Sequence, residues 1–129
     1  MKNAINESEK IISAFDVKTP GTSTLATALS GGNQQKFVVG RELEDNPSLL
    51  IASQPTRGID IGAQALIWEK LRNSRDEGLS VLLISADLEE LIGLSDRIIV
   101  FYQGKLVKEL DSENVTPEDL GGYMTGLKK

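Results

Sequence analysis

Residues 29–36 read LSGGNQQK, a Ser-Gly-Gly turn set directly before a run of polar helix formers. Amides in the first turn of a helix lack intrahelical acceptors and lie at the positive end of its dipole, so they can hold phosphate oxygens. Ser30 would add a hydroxyl donor, while Gly31 and Gly32 would let backbone approach a ligand closely. The same three residues also make an ordinary Ser/Gly helix cap, and taken alone they favour that simpler reading. Their surroundings shift the balance: a helix follows, then an apolar strand that runs into SQPTRGID, residues 53–60.

Other chemistries are closed to this chain. It has no histidine and no cysteine, which removes imidazole bases, His-based metal sites, disulfides and thiolate nucleophiles. The lack of cysteine fits a reducing compartment. Nineteen acidic residues against 14 basic ones give a formal charge of −5, a poor match to a nucleic-acid footprint. With 129 residues, 40% hydrophobic and 26% charged, the chain suits one globular domain with a modest core. MKNAINESEK at the N-terminus lacks a signal-peptide core, and no apolar run reaches membrane-spanning length. We expect a cytoplasmic protein that works at a membrane only through a partner.

The elements that must position the loop follow from periodicity. Ile11, Ile12 and Phe15 suggest a short helix over 6–17, and KTPGTST (18–24) reads as a loop. Residues 32–45 form a helix that stops before Asn46-Pro47, with Gly40 as an unfavourable interior residue. SLLIAS (48–53), SVLLIS (80–85) and RIIVFY (97–102) are short strands, and the continuous apolar runs of the first two predict burial on both faces. Between them, 62–78 is a helix with Ala65, Ile67, Trp68 and Leu71 on one side and Gly78 at its end. Residues 87–94 form a helix with Asp87 at its start, Gln103-Gly104 turns a hairpin, and Thr116-Pro117 opens a last helix over 116–124. Helix and strand alternate, which predicts an α/β fold with a mostly parallel sheet flanked by helices and a C-terminal antiparallel hairpin. One domain over 1–129 is expected: a helical and loop lead-in (1–24), a central body (25–112) and a C-terminal helix (113–129).

Three motifs then carry a resemblance. LSGGNQQK resembles the signature motif of ATP-binding cassette transporter ATPases. LLIASQPTRGIDIGA resembles their Walker B strand and D-loop, and VLLISADLEELIGLSDRIIVFYQGKLV resembles their switch region and the strands after it. The NQQK and PTRGID variants are similar to cassettes of simple-sugar and nucleoside importers, whose two cassettes are usually fused. SQPT is similar to the second cassette of the nucleoside branch. The likeness is close over 25–112, so the chain resembles the C-terminal part of one cassette, with a partial P-loop NTPase fold. It implies ATP and Mg as cofactors, held mainly by a second cassette, and permease subunits as membrane partners at the inner face of the cell membrane.

The resemblance also exposes departures. A P-loop needs G-x-x-x-x-G-K-[S/T], and the only Gly-Lys pair here, Gly104-Lys105, precedes Leu106 on a predicted strand. The family's Walker B strand ends in Asp-Glu, where this chain has Ser53 and Gln54. A serine hydroxyl is a weak magnesium ligand, and a neutral amide cannot take a proton. The family's switch histidine is replaced by Ala86. Three such losses imply that the cassette's own hydrolytic site is dead, so the isolated chain is not expected to hydrolyse ATP. The signature is intact, however. In the family two cassettes pack head to tail, which implies that Ser30, Gly31 and Gly32 donate to a γ-phosphate held by the partner, with Asn33 and Gln34 at the helix start. Asp60 matches the D-loop aspartate that crosses the dimer seam.

Other residues have plainer readings. Arg57, Arg97, Glu89 and Glu90 are expected to be solvated or locally paired. Trp68 and Phe101 are expected in the core, and Leu25 is expected to pack the loop onto the body. Two further functions compete: a DNA-repair ATPase fragment, disfavoured by NQQK, PTRGID and the lack of heptads, and a structural or regulatory truncated cassette that binds no nucleotide. An unprotected sheet edge invites self-association, so a homodimer is among the expected partners.

Overall fold

The structure, a computed structural model, describes residues 1–128. The chain divides into two compact units, with the boundary between Leu82 and Leu83.

The first unit is built on three helices: α1 (Lys2–Ala14), α2 (Gly31–Glu44) and α3 (Ile61–Asp76). Helix α1 begins earlier and ends sooner than its apolar spacing predicts, and Phe15 closes it as a buried C-cap. A loop with a short 3-10 turn, Ala26–Ala28, leads to α2, whose N-cap is Ser30. The core of this unit joins Ile11, Phe15 and Val17 with Val39 of α2 and Ala63, Ile67 and Leu71 of α3. Ala65, expected on the inner side of α3, is exposed, because the buried stripe runs at 63, 67 and 71, one helical turn apart. Trp68 lies half-buried beneath the Arg72 guanidinium, 5.8 Å from its ring centroid.

Strand β1 (Leu49–Ser53) is hydrogen-bonded to β2 (Ser80–Ile84) in a two-stranded sheet. Helix α3 joins them, the kind of crossover that a parallel pair requires. Burial on both faces, expected from their apolar runs, is not what the strands show. Leu49 and Ile51 are 53% and 61% exposed, and Leu82 and Ile84 keep 52% and 49% of their surface. An apolar run marks faces that suit covering layers.

The second unit contains α4 (Leu88–Leu94), the hairpin β3 (Arg97–Tyr102) and β4 (Lys105–Asp111), and α5 (Pro117–Met124). Gln103 and Gly104 both take positive φ, 49° and 75°, as a tight primed hairpin turn requires. The antiparallel pairing slips between Val100 and Phe101, a β-bulge. Leu91, Ile98, Val100 and Leu120 form the core, and Leu120 is wholly enclosed. Full burial of a leucine is worth about 1.5–3 kcal/mol. Thr116 caps α5 by accepting from the Asp119 amide at 3.2 Å, and Pro117 takes the first helical position, where no amide is needed.

One expectation fails in this unit. Phe101 is 68% exposed rather than in the core, since β3 alternates and its odd positions face outward. Glu90 is 1% exposed, because the α4 face that carries it also carries buried Leu91, and its side chain has a partner, within the expectation of a solvated or locally paired acid. Arg97 is locally paired as expected, 3.3 Å from Glu109 across the hairpin.

Gly40 explains its own place in α2. A Cβ built there would stand 2.5 Å from Ile11 Cγ2 and 2.9 Å from Phe15 Cδ2. Helix α1 therefore crosses α2 where α2 has no side chain. Gly40→Ala would gain about 1 kcal/mol in helix propensity and lose about 1–3 kcal/mol to overpacking. A net loss of stability is expected, read as a lower urea midpoint with an unchanged slope.

Candidate functional site

The Ser-Gly-Gly turn stands where the sequence places it, at the start of a helix. Ser30 has extended backbone and caps α2: its hydroxyl oxygen accepts from the Asn33 amide at 3.3 Å and from the Asn33 side-chain Nδ2 at 3.0 Å. The first helical backbone bond is Gln34 N to Ser30 O, at 2.9 Å. The amides of Gly31 and Gly32 precede that bond and so have no intrahelical acceptor. Ser30 and Gly31 are exposed, and a Cβ at Gly31 would meet nothing within 4 Å. Gly32 is buried. The helix start is thus open in front and packed behind.

Polar side chains of the motif hold it from behind. Asn33 Oδ1 accepts from the Lys18 backbone amide at 2.9 Å. Gln34 Nε2 donates to the carbonyls of Ala26 and Leu29, at 2.9 and 3.1 Å, and so ties the 3-10 turn to the helix. Lys36 Nζ donates to the Asp16 carbonyl at 3.2 Å. Asp16, at φ 48°, also pairs with Lys18, whose ammonium holds the Asp16 carboxyl below the ordinary aspartate range. The side-chain amides of Asn33 and Gln34 are therefore engaged within the chain, and the exposed residues of the turn are Ser30 and Gly31. Leu25, expected to pack the loop onto the body, is 75% exposed. The glutamine bonds fix the loop in its place.

Nothing in the sequence alone assigns a role to Gln35. Its Nε2 donates to the Pro55 carbonyl at 2.7 Å, joining α2 to the segment after β1. That segment turns tightly. Gln54 has φ 50°, the Arg57 amide donates to Gln54 O at 3.2 Å, and Gly58 has φ 75°. Pro55 and Thr56 are buried, whereas Ser53 and Arg57 are exposed and Gln54 is half-buried. Asp60 ends the segment as the N-cap of α3, with Oδ1 accepting from the Ala63 amide at 2.9 Å. The signal for that cap was present in the sequence: an aspartate directly before an apolar periodic run. Ser30, Gly31, Gly32, Asn33, Gln34 and Asp60 all lie in the first unit, with Ser53 and Gln54. Ala86 lies in the second, exposed in the link between β2 and α4, one residue before the α4 cap Asp87.

The chemistry available is that of a donor cradle. Hydroxyl and amide donors converge at the front of α2, whereas Ser53, Gln54 and Ala86 offer no carboxylate and no imidazole. Gly104-Lys105 forms a hairpin turn and the start of β4, so it is not a phosphate loop at a helix.

Known proteins resemble this chain over most of its length. No family model matches the chain. The guanosine import ATP-binding protein NupO of Bacillus subtilis is 48% identical over 120 residues, 93% of this chain and 24% of that protein. The nucleoside import ATP-binding protein NupA of Lactococcus lactis is 45% identical over 96% of this chain and 25% of its own length. The xylose import ATP-binding protein XylG of Moorella thermoacetica is 37% identical, again over 96% of this chain and 25% of its own. The chain thus spans about a quarter of the length of the curated relatives it matches. Among solved structures, a nucleotide-free ATP-binding cassette from an ABC transporter superposes with a TM-score of 0.74 at 21% identity, over 97% of this chain and 47% of that one. The cassette MJ0796 bound to ADP and Pi gives 0.72 at 22% identity, over 83% and 46%. No helix among the described residues is long and apolar enough to cross a membrane. The chain is a homologue of the ATP-binding proteins of nucleoside and sugar importers and corresponds to the C-terminal part of an ABC ATPase.

Proposed function

We propose that this chain forms part of the ATP-binding subunit of a nucleoside or simple-sugar importer, as the C-terminal portion of its second cassette, and lends its signature loop to ATP held by a partner cassette. The observation that carries the reading is the helix start, exposed at Ser30 and Gly31 while Asn33, Gln34, Gln35 and Lys36 hold it from behind. A cradle held this firmly meets an incoming phosphate without reorganising.

The residues present fit a nucleotide on one side only. Ser30 Oγ and the amides of Gly31 and Gly32 suit the terminal phosphate, and Asp60 would help position the opposing site across the seam. They do not fit a magnesium site of the chain's own, since Ser53 supplies only a hydroxyl and Gln54 a neutral amide. With Ala86 at the switch position, neither water activation nor γ-phosphate contact is supplied from within. The roles assigned are therefore those of binding and orientation, with ATP and Mg held mainly by the partner. The further partners are permease subunits, which would place the chain at the cytoplasmic face of the membrane. Closure of the two cassettes would then drive the permease. Nucleic acid is not expected to bind a chain of net charge −5.

Two experiments test this. The isolated chain is expected to bind no labelled ATP at micromolar concentration; tight, magnesium-dependent binding would overturn the assignment of a lent rather than an owned site. In the reassembled importer, Ser30→Arg is expected to abolish turnover, but it also removes the helix cap. Ser30→Asp separates the two effects. Aspartate keeps the cap and sets a negative charge against the phosphate. We expect unchanged stability and turnover reduced by about a hundredfold, of the order seen on losing one donor to a transition state. Undiminished turnover would leave a structural module that binds no nucleotide.

A further inference from the structure

Gly32 and Asp60 belong to separate motifs of the sequence, yet they occupy one volume. A Cβ built on Gly32 would lie 2.8 Å from Asp60 Oδ2 and 3.0 Å from Ala63 Cβ. Real side chains do not approach so closely, so the carboxylate fills the space that any residue other than glycine would need. The neighbouring glycine shows that this is not a general property of the turn, because Gly31 has nothing within 4 Å.

Asp60 has little freedom to yield. Its Oδ1 accepts from the Ala63 amide at 2.9 Å and caps α3. Swinging Oδ2 away from position 32 turns Oδ1 off the Ala63 amide, and Ala63 is itself buried. The position of α2's first turn and the capping of α3 are therefore one geometric condition.

We propose that Gly32 and Asp60 form an interlock in which Asp60 is a positioning residue for the Ser30–Gly32 turn. It acts through the missing side chain of Gly32, and Gly32 is required for that fit independently of any ligand. The functional part rests on the reading above: the two segments offered to a partner's nucleotide are presented as one body, so an error at either misplaces both.

The test has two arms. In the chain alone, without nucleotide, amide hydrogen exchange is read by NMR at Ala63. Gly32→Ala is expected to speed that exchange by about fivefold, the loss of one cap, while Gly31→Ala leaves it unchanged. Asp60→Ser keeps a capping oxygen and deletes the second one. In that background Gly32→Ala should have a clearly smaller effect, which a double-mutant cycle reports as coupling. Equal effects of the two glycine substitutions, or strict additivity in the cycle, would overturn the interlock. If Gly32→Ala alone does not fold, folding of the double variant supports the interlock and its failure to fold refutes it. The second arm measures turnover of the reassembled importer, where Asp60→Ser should partly rescue Gly32→Ala. Coupling in the first arm with turnover indifferent to Gly32→Ala would keep the interlock and dismiss the nucleotide reading.

Discussion

The first turn of α2 carries amide donors that the helix cannot satisfy for itself, and the first unit is arranged to hold that turn still while leaving its front open. The polar residues after the glycines all spend their side chains backward: Asn33 on the Lys18 amide, Gln34 on the Ala26 and Leu29 carbonyls, Gln35 on the Pro55 carbonyl and Lys36 on the Asp16 carbonyl. Each such bond contributes only about 1 kcal/mol net. Five of them, from four side chains and reaching the lead-in, the 3-10 turn and the segment after β1, leave the loop few ways to relax. An anion at Ser30–Gly32 would then meet donors already in position.

Helix α2 holds its glycines for different reasons, and helix propensity accounts for none of them. Each weakens the helix by about 1 kcal/mol relative to alanine. Gly31 faces open space, Gly32 yields its volume to the Asp60 carboxylate, and Gly40 yields its volume to Ile11 and Phe15. One position serves access to the turn, one the junction with α3, and one the crossing of α1. The weakness in α2 is thus offset by the contacts that the missing side chains permit, and α2 becomes the element to which α1, α3 and the loop after β1 are all referred.

The exposed apolar residues have a common physical meaning. Leu49, Ile51 and Leu82 in the first unit and Ile99 and Phe101 in the second stand on strands whose opposite positions are better covered. Strands of this composition suit burial between two layers. The chain accounts for 46% to 47% of the cassettes it superposes on and about a quarter of its curated relatives. Outward-facing leucine, isoleucine and phenylalanine are the residues that such layers would cover.

How much could be read from the residues alone differs by level. The order of helices and strands was legible because it rests on local rules: apolar periodicity, Ser30, Asp87 and Thr116 as caps, and Gln103-Gly104 as a turn. The family was legible because three motifs occur in order, and the candidate loop because its glycines and serine adjoin a helix start. Burial was not legible, since an apolar run shows what a face suits and not what stands opposite it. Leu25 and Phe101 were misplaced for that reason. The use of Asn33 and Gln34 to brace the loop, the reach of Gln35 to Pro55, and the fit of Gly32 to Asp60 depend on segments distant in sequence being brought together. Types and spacing could name the donors and the positions that lack acids, but only tertiary packing decided which donors remain facing outward, because a polar side chain is spent on whatever partner the fold sets within reach.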